Sequence, residues 1–300
     1  MKTALLITNL NARTVSQRVQ KVIVKALSAD LDLEVVDTQH RNHATEIARD
    51  AAQRGLDLVI SFGGDGTMNE VVNGLVGSDT ALALLPGGLA NVLCRTLDIP
   101  VDIVEATGYL LNRVRSGNTR SLHLGRMDER YFVLSCGVGM DAATVRRTEE
   151  RPALKRKYRD WFFVYSAFAS FLKEYRGKDP YITLTAGDQS EDVLLAIVSN
   201  VPYLTYFKKW PVSVTPRADL HKGLDVYALK KFPSTYIPKL AWSLFRLKEQ
   251  QGKHARYFHD VPSITLSAIE PFPIQVDGEY IGDRTDLKVD LISDGISILN

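Results

Sequence analysis

The chain has 300 residues, of which 45% are hydrophobic, so it can bury a full core and is long enough for two domains. Its 37 lysines and arginines nearly balance 35 aspartates and glutamates, which excludes the strongly basic field of a typical nucleic-acid-binding protein. Cys94 and Cys136 lie in apolar stretches typical of reduced core thiols, and no run of about 18 apolar residues predicts a membrane-spanning helix. We therefore expect a cytoplasmic protein that has no nucleic-acid partner.

The first third of the chain alternates short apolar runs with amphipathic segments, which predicts β-α-β units around a parallel sheet. The predicted strands cover residues 4–7, 33–36, 58–62 and 81–85, and apolar residues at helical spacing mark 15–27 and 44–54. Residues 1–120 are therefore expected to form an α/β domain, with helices on both faces of its sheet.

After about residue 120 the pattern changes to strands that are separated by turns, which predicts a mainly β second domain over residues 121–285. The predicted strands cover residues 131–134, 181–184, 193–198, 224–228, 263–266 and 274–276. Two helical insertions are expected at about residues 152–175 and 235–249.

A glycine-rich turn follows the third predicted strand. Gly63, Gly64 and Gly66 flank Asp65, and glycines let a ligand approach bare backbone amides. Thr67 and Glu70 have capping-box spacing, so a helix is expected to begin behind this turn and to point its free N–H groups at an anion. No Gly-Lys-Ser/Thr follows, so the turn is not a Walker A loop.

A second glycine-rich loop, residues 84–91, follows the fourth predicted strand and contains Gly87, Gly88 and Asn91. Two such turns after neighbouring parallel strands could line one nucleotide crevice, because open α/β sheets bind ligands at the carboxyl ends of their strands. A tight connection into a helix at residues 92–97 is the alternative.

Five sequence blocks together carry a family resemblance. They are residues 63–75, 86–100, 137–142, 216–225 and 276–279, and they resemble the diacylglycerol kinase and sphingosine kinase catalytic-domain family, especially its bacterial soluble lipid kinases. The resemblance implies a Rossmann-like three-layer nucleotide domain, to which residues 286–300 return, followed by a mainly antiparallel β-sandwich domain that receives the lipid. This is the two-domain plan of the NAD kinase and diacylglycerol kinase fold.

The resemblance also implies an activity, namely transfer of the γ-phosphate of ATP to a lipid hydroxyl with Mg²⁺. It places the nucleotide phosphates at residues 64–70 and puts Asn9 and Thr38 near the nucleotide, although both could be ordinary turn residues after strands. The expected nucleotide-binding residues are Asn9, Thr38, Gly63, Gly64, Asp65, Gly66, Thr67, Met68, Asn69, Glu70, Gly88 and Asn91.

Carboxylates are the candidates for metal binding and for the catalytic base. Asp65 could hold Mg²⁺ directly or through water. Asp277 and Glu279 flank Gly278, and alternation along an extended chain would place both on one face, although Asp-Gly is also a common β-turn. Spacing alone does not rank these groups; the resemblance ranks Glu279 first, Asp277 second and Asp65 third as the base. Asp141 matches a further acidic position of the family.

Three residues depart from the family pattern. Leu89 and Val92 replace a threonine and an acidic residue in the second loop, which removes a hydroxyl and a carboxylate. Lys222 stands at a turn where bacterial members hold a structural Mg²⁺, and a protonated lysine cannot ligate a cation. We therefore predict that this structural metal is absent and that the Lys222 ammonium takes its place. The scattered histidines are assigned no role, because even His40 and His43 lack further ligands in a metal-site pattern.

A basic and aromatic segment suggests how the protein reaches a lipid. An apolar stripe at helical spacing is formed by Leu154, Tyr158, Trp161, Phe162, Tyr165, Phe168, Ala169 and Leu172, with Lys155, Arg156, Lys157 and Arg159 in its first turns. This composition suits a helix at an anionic membrane surface, which predicts peripheral association with the inner face of the membrane. The alternative is a stripe that packs on the β domain.

Two other functions remain open at this stage. A small-molecule kinase similar to NAD kinase shares the Gly-Gly-Asp-Gly turn, and a non-catalytic protein that binds lipid or nucleotide would accommodate Leu89, Val92 and Lys222. The sequence also leaves open which lipid is phosphorylated and whether the protein is a monomer or a homodimer.

Overall fold

The structure is a computed structural model that describes residues 2–151, 154, 162, 165–207, 209–250 and 252–300. The chain divides into two compact units, the first formed by Met1–Leu124 with Ile292–Asn300 and the second by Gly125–Leu291. The boundaries expected from the sequence stood at residues 120 and 285. None of the helices in the described part of the chain is long and apolar enough to span a membrane.

The first unit is built on a parallel sheet in the strand order β4-β3-β1-β2. Its strands are β1 (Lys2–Thr8), β2 (Leu31–Asp37), β3 (Leu58–Gly63) and β4 (Ala81–Pro86). Every residue of β3 and β4 is buried, as is usual for central strands that are covered on both faces. Each strand predicted for this region lies within an observed one, which confirms the predicted α/β class.

Five helices connect and cover these strands. They are α1 (Gln17–Leu27), α2 (His43–Gln53), α3 (Asp65–Leu75), α4 (Val92–Thr96) and α5 (Ile103–Ser116). Helices α2 and α3 pack closely at Gly74, where a Cβ atom would come within 2.6 Å of the Ala48 Cβ atom. The chain passes between the units in β5 (Thr119–Met127) and β16 (Glu279–Leu299), and the end of β16 pairs in parallel with β4 at Ile298 and Leu82.

The start of α3 corrects one expectation. The helix begins at Asp65 with Gly64 as its N-cap residue, three residues earlier than a cap at Thr67 would require. The Glu70 carboxylate does not complete a capping box; it accepts hydrogen bonds from the backbone N–H groups of Asn42 (3.0 Å) and Ala44 (3.2 Å). The capping-box prediction is therefore wrong, because Glu70 instead fixes the start of α2.

The second unit is built on antiparallel strands in the order β14-β13-β10-β7-β15-β16, with β8 pairing to β15 and β9 to β8. Its strands are β6 (Arg130–Phe132), β7 (Ser135–Gly139), β8 (Ile182–Ala186), β9 (Gln189–Val193), β10 (Leu195–Ser199), β11 (Thr205–Phe207), β12 (Trp210–Val212), β13 (Leu224–Leu229), β14 (Ala255–Val261) and β15 (Ser263–Val276), followed by the first part of β16. Strands β11 and β12 form a separate hairpin. The mainly antiparallel β architecture is confirmed.

Three details of this unit differ from the sequence-based expectation. The predicted strand 193–198 is two strands, because the chain bends at Leu194 and the two parts pair with different neighbours. The predicted strands 263–266 and 274–276 are one strand that carries a register shift between Ser267 and Phe272. Strand β7 was not predicted: its glycines suggested a turn, but Gly137 lies within the sheet.

Two helices of the second unit are α6 (Met140–Glu149) and α7 (Ile237–Arg246). Helix α7 lies within the predicted insertion 235–249. Much of the other predicted insertion, including Tyr158, Trp161 and the basic residues Lys155, Arg156, Lys157 and Arg159, lies outside the described residues. Its described end, residues 165–170, is helical and continues into a π-helical turn, Phe171–Tyr175.

Candidate active site

The two glycine-rich loops of the first unit meet backbone against backbone. Gly63 and Pro86 are paired at the carboxyl ends of β3 and β4, so both loops leave the same edge of the sheet. The Gly87 amide donates to the Gly63 carbonyl oxygen at 2.7 Å. A Cβ atom on Gly88 would come within 2.8 Å of the Gly64 Cα atom, a contact that real Cβ atoms do not make. The glycines are therefore required for the two loops to approach each other.

Polar side chains fix the second loop against the first. Asn91 has a left-handed backbone (φ 47°), and its Oδ1 atom accepts from the Gly88 amide at 2.8 Å. Asp65 Oδ1 accepts from the Leu93 amide at 3.2 Å, so this carboxylate joins the start of α3 to the start of α4. Burial raises the pKa of Asp65, and hydrogen bonds from these amides offset part of that effect. A divalent cation fits such a carboxylate, because its charge would stabilise a buried anion.

A cavity of about 240 Å³ opens beside these loops. Four of the residues predicted to bind the nucleotide line it, namely Asn9, Thr38, Thr67 and Glu70. Asn9 Nδ2 donates to Thr67 Oγ1 at 2.9 Å, which connects the loop after β1 to the first turn of α3. The structure therefore brings together predicted residues that follow three different strands.

Four further residues line the same cavity and were missed by sequence reasoning: Asn11, Gln39, His40 and Arg41. All of them lie in loops that follow β1 and β2. Since those strands were predicted, their positions just beyond the carboxyl ends could have marked them as cavity residues.

Other residues that were predicted to bind the nucleotide do not line this cavity. Met68 is fully buried and its sulfur lies 4.0 Å from the Cys94 sulfur, so its side chain belongs to the core. Asn69 is also buried, and its carbonyl and side-chain oxygens accept from Asn73. Gly66 is exposed in the first turn of α3, with open space where a side chain would point. The two replaced residues of the second loop also separate, because Leu89 is 52% exposed whereas Val92 is buried.

In the second unit, Asp277 and Gly278 form the turn between β15 and β16, where Val276 pairs with Glu279. Both turn residues have positive φ (47° and 82°), as two-residue hairpin turns require. The expectation that Asp277 and Glu279 alternate along an extended chain is therefore wrong, because the chain reverses between them.

The Asp277 carboxylate anchors this turn. Its Oδ1 atom accepts from the amides of Leu134 (3.1 Å) and Ser135 (2.9 Å), and its Oδ2 atom accepts from the amide of Val133 (3.3 Å). Glu279 instead forms an ion pair with Arg130, and each of the two side chains is about 30% exposed. The two carboxylates thus have different surroundings, one bound by backbone amides and one held by a guanidinium at the surface.

Asp141 lies behind the same turn. Gln275 Nε2 donates to Asp141 Oδ2 at 2.8 Å, and Gln275 Oε1 accepts from the Gly278 amide at 2.8 Å. Burial raises the pKa of Asp141 from 3.8 to about 6, and the bond from Gln275 lowers it in part. Gly137 makes room for this carboxylate, because a Cβ atom there would lie 2.0 Å from Asp141 Oδ2.

The structure corrects the view that His40 and His43 lack a further ligand. Their ring nitrogens and a Glu46 carboxylate oxygen lie within 4.8 Å of one another. However, His43 Nδ1 accepts from the Gln39 amide, so in the neutral ring Nε2 carries the proton and offers no lone pair to a metal.

The turn at Lys222 is held by a hydrogen bond from its backbone to a carboxylate. The Gly223 amide donates to Asp260 Oδ1 at 2.6 Å, and the Lys222 side chain is exposed. The predicted absence of a structural metal at this turn stays a prediction.

Comparison with known proteins places these features in a family. The family model described as "Diacylglycerol kinase catalytic domain" matches residues 3–127. The chain is 27% identical to diacylglycerol kinase of Bacillus subtilis over 266 residues, covering 87% of this chain and 84% of that protein. It is 30% identical to the candidate lipid kinase YtlR of Bacillus subtilis over 268 residues, covering 82% of each chain.

Solved structures agree on the fold. The crystal structure of a diacylglycerol kinase from Bacillus anthracis superposes with a TM-score of 0.73 at 21% identity, covering 99% of this chain and 96% of that one. At this identity the similarity supports the fold alone. The family model and the similarity to relatives over most of their length together establish membership: the chain belongs to the diacylglycerol kinase catalytic-domain family of lipid kinases.

Proposed function

We propose that the protein is an ATP-dependent lipid kinase that transfers the γ-phosphate of ATP, with Mg²⁺, to the hydroxyl of diacylglycerol or a related lipid. The observation that carries this proposal is the cavity at the carboxyl edge of the parallel sheet, beside the first turn of α3. Gly64 has no side chain to cap that helix, so its first N–H groups can stabilise phosphate. The names of the relatives, diacylglycerol kinase and lipid kinase, support a lipid as the acceptor.

The first unit would hold the nucleotide. Backbone amides of the first turn of α3 would contact the phosphates, while Asn9 and Thr38 would contact the rest of the nucleotide from the neighbouring loops. Asp65 is the residue that would hold Mg²⁺, directly or through water. When bound, the ion would neutralise charge on the transferred phosphoryl group.

The second unit would supply the base. The lipid hydroxyl oxygen forms a bond to the γ-phosphorus, the bond from that phosphorus to the β-γ bridging oxygen breaks, and ADP leaves. We assign the hydroxyl proton to Glu279, because its ion pair with Arg130 orients it near the surface. Asp277 is the second choice, since three backbone amides already occupy its carboxylate. Asp65, which joins α3 to α4, is the third.

Lipid access would occur at a membrane surface, with the protein associated peripherally from the cytoplasmic side. Of the predicted apolar stripe, Tyr165, Phe168 and Leu172 are about half exposed, which supports the interfacial role. Phe162 and Ala169 are buried, so part of the stripe also packs on the unit, as the alternative interpretation requires.

Radiolabelled ATP with a total lipid extract tests this proposal, with NAD as a second acceptor. We expect a labelled phospholipid and no labelled dinucleotide, and we expect Glu279→Gln to lower kcat by about 10²-fold or more, as loss of a general base does. Asp65→Asn should also lose activity. Glu34→Gln, which changes an exposed glutamate paired with Arg54, is the matched control and should keep full activity.

The outcomes separate the competing functions. Labelled NADP would identify a small-molecule kinase, and no ATP consumption with any acceptor would identify a non-catalytic binding protein. Full activity of both Glu279→Gln and Asp65→Asn would show that the proposed reaction centre is wrong.

A further inference from the structure

A second cavity, of about 300 Å³, opens in the second unit beside the start of α7. Its lining includes Thr235, Tyr236, Lys239, Gln250, Lys253 and His254. None of the described residues that line it is acidic. The cavity contains none of the residues that we assign to phosphoryl transfer.

The cavity carries concentrated positive charge. Partial burial lowers the pKa of His254, and the nearby ammonium groups of Lys253, Lys239 and Lys231 lower it further. Among the described residues, no ion pair neutralises any of these three lysines. The carboxylate nearest in sequence to Lys253 is that of Glu249, and it is already paired with Arg217 (3.3 Å) and His259 (3.4 Å).

His254 also presents a polar atom that needs a partner. Its ring packs against Tyr236 with 5.1 Å between ring centroids, and its Nδ1 atom is shielded from solvent with no hydrogen-bond partner in the described part of the chain. Buried polar groups are nearly always paired, so this nitrogen is a candidate partner for a group bound in the cavity. Two lysines that line the cavity, a third lysine close to its histidine and an imidazole nitrogen together favour an anion that has several oxygens, such as phosphate.

The sequence around the cavity has an unusual charge pattern. Residues 201–218 contain three lysines or arginines and residues 226–248 contain five, and neither segment contains an aspartate or a glutamate. Both segments would therefore be attracted to an anionic surface.

Exposed aromatic side chains accompany this charge. Trp242 and Phe245 lie three residues apart on α7 and are 63% and 46% exposed, and Trp210 on the neighbouring hairpin is 66% exposed. The hairpin contacts α7 directly, because the rings of Phe207 and Phe245 lie 6.3 Å apart. The opposite side of α7 packs on the core through Leu240 and Leu244. The helix therefore exposes large aromatic side chains on the side that faces away from the core, and exposed apolar groups of this kind mark interaction sites.

The cavity and the aromatic residues share one helix. Lys239 lines the cavity and lies one helical turn before Trp242, and the Arg246 guanidinium lies 4.4 Å from the centroid of the Trp242 ring. Basic residues next to exposed tryptophans are the composition of surfaces that bind the interface of an anionic membrane.

We propose that this cavity binds the phosphate group of an anionic phospholipid headgroup while Trp210, Trp242 and Phe245 enter the membrane interface. Binding at this site would attach the protein to the membrane without involving the catalytic residues, ATP or the lipid acceptor. A free phosphate ion offers the same chemistry to the lysines, so the test has to separate the two sources.

Flotation of the full chain with vesicles tests the site, without ATP. The vesicles contain phosphatidylcholine alone or phosphatidylcholine mixed with phosphatidylglycerol. We expect preference for the mixed vesicles, and we expect the double variant Lys239→Gln with Lys253→Gln to bind them about 30-fold more weakly, since each lysine near an anionic surface contributes about fivefold. The matched control, Lys21→Gln with Lys25→Gln, removes the same charge from the exposed side of α1 and should bind as the wild type does.

Two further measurements complete the test. Trp242→Ser should weaken binding to both kinds of vesicle, because it removes interfacial contact and no charge. Inorganic phosphate titrated against the His254 imidazole resonance should bind weakly and should not abolish flotation. A folded double variant that keeps the wild-type preference for phosphatidylglycerol would overturn the proposal, and so would tight binding of inorganic phosphate that leaves vesicle binding unchanged on saturation.

The result does not depend on the proposed function. Kinase activity is measured separately, on a short-chain diacylglycerol in neutral detergent micelles, where the double variant should match the wild type. Failure of the kinase assay in both proteins would refute the proposed activity and leave the vesicle result intact.

Discussion

Replacing Gly66 with alanine tests whether this glycine is needed for folding or for ATP binding. Gly66 lies in the first turn of α3, and a Cβ atom there meets nothing within 4 Å. Its φ angle is not positive, so alanine is not strained, and its better helix propensity should stabilise the unit by about 0.5–1 kcal/mol. Bound phosphate would occupy the same open space. A methyl group that displaces one charge-assisted hydrogen bond costs about 1.5–3 kcal/mol, which weakens ATP binding by about 10-fold to 150-fold.

Calorimetric titration with ATP and thermal unfolding measure the two effects. Gly108→Ala is the control, because Gly108 lies in α5 and also has open space around its Cβ position, so it should raise the melting temperature and leave ATP binding unchanged. Gly88→Ala should instead lower the melting temperature, because the new methyl group would lie 2.8 Å from the Gly64 Cα atom. We expect it to destabilise the unit by about 1–3 kcal/mol. Wild-type ATP affinity in Gly66→Ala would refute the placement of phosphate at this helix.

Two further predictions concern the second unit. Because burial raises the pKa of Asp141 from 3.8 to about 6, the folded state binds its proton more tightly than the unfolded state, so stability rises as pH falls through about 6 toward about 4. In urea unfolding, Asp141→Asn should therefore be more stable than wild type by about 1–2 kcal/mol at pH about 7.5, and the two proteins should be equally stable near pH 4. The expected difference is smaller than the full pKa shift implies, because the Asp141 residue is only partly buried. The same stability difference at both pH values would contradict this. Arg130→Gln should lower kcat by about 10-fold through loss of the Glu279 contact, with little change in melting temperature because partly exposed pairs contribute about 1 kcal/mol or less. Arg54→Gln is its control, and an unchanged kcat in Arg130→Gln would show that the ion pair does not position the base.

Much of the candidate site could be predicted because it depends on local sequence. The strand that ends at Gly63 and the helix behind it are encoded by an apolar run, glycines and helical spacing, so the glycine-rich turn between them was predictable. The helix start was misplaced by three residues, because Glu70 contacts the start of α2, a segment more than 20 residues away in sequence. A spacing rule cannot take account of such a distant competitor.

The turn at Asp277 shows a different limit. Alternation along a strand predicted that Asp277 and Glu279 would share a face, and this failed because both turn residues adopt positive φ. That conformation is stabilised by amides of residues 133–135, which lie more than 140 positions away in sequence. The sequence alone offered the turn as an alternative, but only this long-range contact selects it.

The sequence by itself determined the α/β first unit, the mainly β second unit, the two glycine loops and the family, because each depends on periodicity or on residues close together in the chain. The tertiary structure decided which carboxylates accept structural hydrogen bonds, which residues complete the cavity of the first unit, and where lysines from separate segments surround one space. These properties depend on contacts between distant segments. For that reason Lys239, Lys253 and His254 carry no recognisable motif in the sequence and define a cavity only in the folded chain.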